Sequence, residues 1–135
     1  MALEITDKTY DKEFVKKIEE IGGEDFHKCM QCGTCTGSCP MIDNMNTSPR
    51  KTILLLKFGL KERVLNLNSP WICASCHSCG VRCPRGIDIP KIMEAIRQFT
   101  LRQNINYIEP SRIKEDTLKE LPQIALVGCF RKHTS

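Results

Sequence analysis

Cysteines are the residues of this 135-residue chain that are best placed to do chemistry. Eight of the nine fall into two copies of one pattern, C-x2-C-x2-C-x3-C-P. The copies comprise Cys29, Cys32, Cys35, Cys39 and Pro40, and then Cys73, Cys76, Cys79, Cys83 and Pro84. Three thiolates within seven residues can reach three corners of a cubane, and this spacing is typical of [4Fe-4S] ligation. The pattern therefore predicts two [4Fe-4S] clusters.

The fourth cysteine of each copy is predicted to bind the cluster of the other copy. In two-cluster proteins with this spacing, the cysteine before the proline ligates the second cluster. The predicted ligands are Cys29, Cys32, Cys35 and Cys83 for cluster 1, and Cys73, Cys76, Cys79 and Cys39 for cluster 2. Crossed ligation would hold both motifs together and keep the two clusters close enough for electrons to pass between them.

Glycines and prolines within the motifs are expected to shape the loops around the clusters. Gly33, Gly37 and Gly80 are predicted to allow positive φ, so that backbone N–H groups can point at sulfur. Pro40 and Pro84 fix φ and remove a hydrogen-bond donor, which predicts a sharp change of direction after each fourth ligand.

Other uses of clustered cysteines explain the pattern less well. Zinc sites would leave the regular third cysteine of each motif without a role. Residues 73–77 spell C-x-x-C-H, a haem attachment motif, but the second cluster motif already accounts for them. We therefore interpret His77 as a cluster-loop residue. A disulfide scaffold is disfavoured because Met1–Tyr10 has no basic-then-apolar secretion signal, and intracellular thiols stay reduced.

Charge and hydropathy exclude two further classes of protein. The formal charge is +4, but each oxidised cluster with four thiolates carries about −2, which brings the loaded chain to about zero. A nucleic-acid-binding surface would require a basic stripe interleaved with aromatic residues, and the sequence has none. The longest apolar runs, Ile53–Leu56 and Ile124–Val127, are far shorter than the roughly 18 residues that span a bilayer. We expect a soluble, cytoplasmic protein whose metal–thiolate bonds supply part of its stability.

The regular segments of the sequence are helical. Asp11–Ile21 has apolar residues at i, i+4 and i+7 and ends at a glycine pair. Ser48 before Pro49 predicts an N-cap and the start of a helix. Asp88 is predicted to cap a helix that Pro90 opens. The other predicted helices are 60–67 and 111–121, whereas Pro122–Phe130 is predicted as a short strand or an extended arm.

The separation of the motifs decides the fold class. Small two-cluster ferredoxins join their motifs by short β-hairpin-like segments, whereas the 33 residues between Cys39 and Cys73 contain two helical patterns. The sequence therefore predicts an all-α, helical-ferredoxin-like domain at 26–102. A helical arm at 1–25 and a C-terminal arm at 103–135 for partner docking are predicted to flank it. The motifs repeat with an offset of 44 residues, from Cys29 to Cys73, and no other repeat is predicted.

Several apolar residues are expected to support the clusters. Trp71 is predicted to shield cluster 2 from solvent. Ile42, Ile72 and Ile87 are predicted parts of the same dry shell, since solvent exposure influences cluster potential. Cys129, the ninth cysteine, is interpreted as a small buried hydrophobic residue and is given no role at a site.

Four segments resemble a known family. They are Cys29–Pro40, Thr47–Arg50, Trp71–Cys76 and Val81–Met93, and together they resemble the C subunit of soluble heterodisulfide reductase over about residues 26–101. The cluster motifs alone are shared with iron-sulfur subunits of succinate dehydrogenase and glycolate oxidase. The phrases W-I-C-A-S-C and C-P-R-G-I-D-I-P narrow the choice to heterodisulfide reductase.

The resemblance implies an electron-transfer subunit without catalytic residues of its own. It would relay electrons from a flavin-containing A subunit to a B subunit that reduces a disulfide such as CoM-S-S-CoB, the heterodisulfide of methanogenesis. Consistently, the chain has neither the adjacent cysteines of the B-type motif nor a G-x-G-x-x-G flavin loop. A free-standing dicluster ferredoxin, an iron-sulfur subunit of another flavin-based oxidoreductase and a cluster-sensing DNA-binding protein are the alternatives.

Overall fold

The computed structural model describes residues 10–103 and 109–133, and the regular structure within them is helical. The predicted all-α class is confirmed. The helices are α1 Lys12–Gly22, α2 Thr34–Gly37, α3 Pro49–Lys57, α4 Lys61–Leu65, α5 Ser69–Ile72, α6 Ser78–Val81, α7 Ile89–Leu101, α8 Glu115–Glu120 and α9 Gln123–His133. Short 3-10 turns occupy Phe26–Lys28, Ile42–Asn44 and Pro110–Arg112. The chain divides into two compact units, Met1–Gln103 and Asn104–Ser135.

Helix α1 begins and ends as its sequence predicts. The Asp11 carboxylate accepts a hydrogen bond from the Phe14 N–H at 2.9 Å, which satisfies a backbone donor that the first turn would otherwise leave unpaired. Gly23, at φ 63°, closes the other end by donating its N–H to Glu19. Phe14, Val15 and Ile18 are buried, and α1 packs on α7. The apolar face of α1 thus finds its partner surface within the first unit.

Helices α3 and α7 start in the same way. Ser48 Oγ accepts from the Lys51 N–H at 3.3 Å, and Asp88 Oδ1 accepts from the Lys91 N–H at 3.4 Å. A proline lies in the first turn of each helix, where its missing N–H costs nothing. Both predicted N-caps are confirmed. The buried side chains of these helices are Pro49, Thr52, Ile53, Leu55, Leu56, Ile89, Pro90, Ile92, Met93, Ala95 and Ile96.

A polar clamp joins the segment before α3 to the segment before the second motif. The Asn46 N–H donates to Asn68 Oδ1 at 2.8 Å, and the Asn68 N–H donates to Asn46 Oδ1 at 3.3 Å. The hydroxyl of Ser69, which is fully buried, donates to the Thr47 carbonyl and to Asn46. Burying a hydroxyl is costly unless it is hydrogen-bonded, so these bonds hold the chain that leads into the second motif.

The second unit corrects three predictions. The helix predicted at 111–121 is divided into the turn Pro110–Arg112 and α8. The strand or extended arm predicted for Pro122–Phe130 is wrong, since α9 covers Gln123–His133. A short apolar run has no periodicity that separates strand from helix, and a helix satisfies its backbone hydrogen bonds without a neighbouring strand. Cys129 is also partly exposed rather than buried.

Gly59 provides a test of the packing between the start of α1 and the end of α3. Its φ is +58°, and a Cβ there would lie 2.6 Å from Tyr10 Cδ2 and 3.1 Å from the Asp11 nitrogen. Gly59→Ala should therefore add overpacking to the left-handed strain and lower the free energy of unfolding by about 2 to 3 kcal/mol. Denaturant unfolding of the cluster-loaded chain measures this loss.

Gly86 is the matched control for this prediction. Its φ is +65°, but nothing lies within 4 Å of the Cβ that alanine would add. Gly86→Ala should cost only the left-handed strain, about 1 kcal/mol. Equal losses for the two variants would show that contact with Tyr10 and Asp11 does not matter.

Candidate iron-sulfur sites

The eight motif cysteines surround two cavities, four cysteines to each. Cavity 1 is lined by Cys29, Cys32, Cys35 and Cys83. Cavity 2 is lined by Cys73, Cys76, Cys79 and Cys39. The fourth cysteine of each motif thus faces the cavity of the other motif. No group of three or more His, Cys, Asp or Glu among the described residues is arranged to hold a single metal ion.

Apolar side chains form part of the wall of both cavities. Ile53 and Ile87 line cavity 1, and Met45 and Met93 line cavity 2. Ile89 lines both, so the two cavities are neighbours that share one residue of their walls. Apolar wall residues reduce the contact of a cluster with water, which is one of the factors that sets its potential. The residues present therefore fit two iron-sulfur clusters held close together.

Each cysteine loop turns through left-handed backbone conformations before a four-residue helix. Gln31 and Gly33 have φ of 59° and 84° in the first loop, and Ser75 and His77 have 51° and 59° in the second. Helices α2 and α6 then carry the third cysteine of each motif. In the first loop, the Gln31 N–H and the Gln31 side-chain amide each lie 3.4 Å from Cys29 Sγ and donate to it.

Some predicted supporting residues lie elsewhere. Gly33 has the predicted positive φ, but Gly37 and Gly80 lie within α2 and α6 and do not. Ile87 is buried and lines cavity 1. Trp71 is 50% exposed and lines neither cavity, so the prediction that it shields cluster 2 is wrong. Ile42 and Ile72 are only partly buried and also line neither cavity.

The thiols within one motif differ in acidity. Burial, followed by the charge of Cys73, raises the pKa of the Cys79 thiol to about 11, and burial likewise raises the pKa of Cys35. Hydrogen bonding with the hydroxyls of Thr34 and Ser78 lowers the pKa of the exposed Cys32 and Cys76 thiols. The two buried thiols are therefore protonated at neutral pH without iron. Binding a cluster must release those protons, because thiolates are the ligands.

A basic side chain holds the first cysteine of each motif by its carbonyl oxygen. Lys57, at the end of α3, donates from Nζ to the Cys29 carbonyl at 2.9 Å. Arg97, on α7, donates from Nη1 to the Pro70 carbonyl at 2.8 Å and to the Cys73 carbonyl at 3.3 Å. Both bonds are partly buried, where charge-assisted hydrogen bonds are strong. Each motif is thus fastened to the long helix that follows it.

Lys57 and Arg97 extend the internal repeat beyond the cysteines. The sequence prediction that nothing outside the motifs repeats is therefore wrong. Lys57 stands nine residues after the cap at Ser48, and Arg97 stands nine residues after the cap at Asp88. The spacing from motif to cap differs between the copies, which hides the repeat when the motifs alone are aligned. Aligning the two helices on their caps would have revealed it.

Loss of Lys57 or of Arg97 should speed iron release from the cavity of one motif more than from the other. Lys57→Met should speed iron loss from cavity 1, and Arg97→Met should speed iron loss from cavity 2. Each should lower the free energy of unfolding by about 1 to 2 kcal/mol, since a carbonyl loses a charged donor. Chelator-driven iron release, followed by the spectrum of the remaining cluster, measures both effects.

A conservative change is the control for these two variants. Lys57→Arg keeps a charged donor and should restore most of the resistance to iron loss. If Lys57→Met and Arg97→Met loosened both cavities equally, the fastening of each motif by its own helix would be wrong.

The cysteine-containing part of the chain matches a known domain family. Residues 25–87 match the family model described as "4Fe-4S dicluster domain". That range contains all eight cavity-lining cysteines, and the domain carries two [4Fe-4S] clusters. The cofactor that the cysteine spacing predicts is confirmed.

Curated proteins of known name show which proteins this chain is similar to. The chain is 40% identical over 87 residues to the C subunit of H(2):CoB-CoM heterodisulfide,ferredoxin reductase of Methanothermobacter thermautotrophicus, which covers 64% of this chain and 47% of the relative. It is 34% identical over 105 residues to the C subunit of ferredoxin:CoB-CoM heterodisulfide reductase of Methanosarcina mazei. This match covers 76% of this chain and 63% of the relative. The chain is therefore similar to C subunits of heterodisulfide reductases, as its sequence phrases indicate.

A third relative gives the same result. One of the iron-sulfur C subunits of CoB–CoM heterodisulfide reductase of Methanocaldococcus jannaschii is 37% identical over 101 residues, which covers 69% of this chain and 54% of the relative. The chain thus spans about half the length of the curated relatives it matches. These relatives are subunits of oxidoreductases. Within the described residues, no helix combines the length and the hydropathy that a membrane crossing requires.

Proposed function

We propose that this chain is the electron-transfer subunit of a heterodisulfide-reductase-like complex. The observation that carries the proposal is the arrangement of two four-thiol cavities on one helical core, with Ile89 forming part of both walls. When bound, [4Fe-4S] clusters supply one-electron oxidation and reduction without a substrate pocket. Two such groups in neighbouring cavities would form a short relay.

The proposed ligands are those that line each cavity. Cys29, Cys32, Cys35 and Cys83 would hold one cluster, and Cys73, Cys76, Cys79 and Cys39 would hold the other. The buried third cysteines anchor each group in the core, whereas the exposed second cysteines lie toward solvent. The Gln31 amide groups stabilise the Cys29 thiolate by donating to its sulfur. No residue of this chain is assigned a catalytic role.

The proposed partners are a flavin-containing A subunit and a disulfide-reducing B subunit. The names of the relatives support this assignment, since they describe C subunits of reductases that act on the CoB-CoM heterodisulfide. The C-terminal arm at 103–135 is proposed to contribute to docking. It presents Ile124, Val127 and Phe130 with 76%, 49% and 54% of their surface exposed, and exposed apolar residues of this size are typical of contact surfaces. The proposed location is the cytoplasm.

Reoxidation of the reduced chain tests the function directly. The cluster-loaded chain is reduced anaerobically, freed of reductant and mixed with CoM-S-S-CoB. The chain alone should stay reduced, whereas addition of a purified B subunit should reoxidise it and produce two thiols for every two electrons lost. Equally fast reoxidation without the B subunit, or none with it, would refute the proposed relay.

A further inference from the structure

The charges around the two cavities are unequal. Arg50 and Arg85 line cavity 1, and both side chains are exposed. Neither forms an ion pair with a carboxylate of the described residues. Cavity 2 has no Lys, Arg, Asp or Glu among its described lining residues, and its one histidine, His77, faces Asp88 with Nδ1 3.5 Å from Oδ1. Two positive charges without an ion-pair partner therefore line cavity 1. Among the described residues, no such charge lines cavity 2.

The exposure of the ligands does not offset this difference. The second cysteine of each motif, Cys32 or Cys76, is exposed, and the four first and fourth cysteines are all partly buried. The third cysteines, Cys35 and Cys79, are 7% and 9% exposed. Solvent exposure of the ligands, one of the factors that sets a cluster potential, is thus matched position by position. Charge and hydrogen bonding remain to distinguish the two sites.

Hydrogen bonds to sulfur act in the same direction as the arginines. In cavity 1 the Cys29 sulfur accepts from two Gln31 groups at 3.4 Å, and Cys32 Sγ lies 3.3 Å from the Thr34 hydroxyl. In cavity 2 the corresponding contact among the described residues is weaker, since the Cys76 thiol itself donates to the Ser78 hydroxyl at 3.5 Å. Donors to sulfur and nearby positive charge both stabilise the more negative, reduced form of a cluster.

We propose that Arg50 and Arg85 raise the reduction potential of the cluster in cavity 1 above that of the cluster in cavity 2. A single electron shared by the two then resides in cavity 1. The step between them is the transfer of one electron, which oxidises the group in cavity 2 and reduces the group in cavity 1. No bond breaks and no proton moves. The inference rests on the proposed function only in that both cavities hold a cluster.

A redox titration of the cluster-loaded full chain, followed by EPR, tests this proposal. The cavity 1 signal should titrate at the higher potential. Arg50→Gln and Arg85→Gln should each shift the partition of one electron toward cavity 2 by about tenfold, which is about 59 mV for a one-electron couple. Exposed charges are screened by salt, so the gap between the two potentials should narrow as ionic strength rises.

Assignment of the two signals needs variants that do not assume crossed ligation. Cys32→Ser alters cavity 1 and Cys76→Ser alters cavity 2, because each lines the cavity of its own motif. Arg82→Gln and Lys51→Gln are matched controls, since these exposed residues neighbour Cys83 and Arg50 in sequence but line neither cavity. Both should leave the potentials unchanged. Arg50→Lys keeps the charge and should keep the potential.

Two results would overturn the proposal. One is a cavity 2 signal that is reduced first in the unaltered chain, and the other is an effect of Arg50→Gln and Arg85→Gln no larger than that of Arg82→Gln. Both results are measured on the chain alone with two clusters present. They are therefore distinct from a failure of the proposed relay, which would appear only when the partner protein is added.

Discussion

Replacing Cys83 with serine should damage the cluster in cavity 1, although Cys83 belongs to the second motif. Cys83 lines the cavity formed by Cys29, Cys32 and Cys35. A serine there replaces one thiolate of four, and we expect the EPR signal of that cluster to change or disappear while the other signal is retained. Cys39→Ser should do the same to the cluster in cavity 2.

The ninth cysteine provides the control for this pair. Cys129 lies in α9, outside both motifs and both cavities. Cys129→Ser should leave about eight irons and both signals in place. If Cys83→Ser and Cys39→Ser each altered the cluster of their own motif, the crossed ligand sets would be wrong.

Removing the iron should unfold much of the first unit. Helices α2 and α6 have four residues each, which is far too short for a helix to be stable on its own. They carry Cys35 and Cys79, whose bonds to a cluster would hold them on the core. Because such a site is not preformed in the unfolded chain, the free energy of cluster binding is also free energy of folding. We expect a large, cooperative loss of the far-ultraviolet helical signal when a chelator extracts the iron.

As a control, the same cluster-loaded chain is incubated anaerobically with chelator that is already saturated with metal and so does not extract iron. It should retain its iron, its helical signal and its resistance to protease. A chain that kept full helicity and protease resistance after losing its iron would show that the apolar core suffices. The clusters would then contribute little to stability.

Helices with caps and a clear apolar period could be predicted from the sequence, and α9 could not. Asp11, Ser48 and Asp88 each precede an apolar stripe, so both the start and the buried face of α1, α3 and α7 follow from local chemistry. The apolar residues of α9 do not repeat on one buried face. The choice between helix and strand there depends on whether a partner strand exists, which a single short segment does not reveal.

The cysteine positions at the site could also be predicted, whereas its supporting residues could not. The geometry of a cluster sets the spacing of the cysteines that bind it, so this spacing can be recognised in the sequence. The contacts of Lys57 and Arg97 with carbonyl oxygens depend on how α3 and α7 pack against distant loops. The positive φ of Ser75 and His77 could not be read from the sequence because glycine is the usual residue in that conformation.

Isolation of the native complex tests the central claim most directly. The chain is purified anaerobically from its own cells with whatever remains bound, and iron, acid-labile sulfide and flavin are quantified for each component. We predict about eight irons in this chain, a bound flavoprotein, and a second cysteine-rich partner that reduces CoM-S-S-CoB. A chain with the same iron content that comes without either partner, under conditions that preserve other complexes of the cell, would contradict the relay and favour a free ferredoxin.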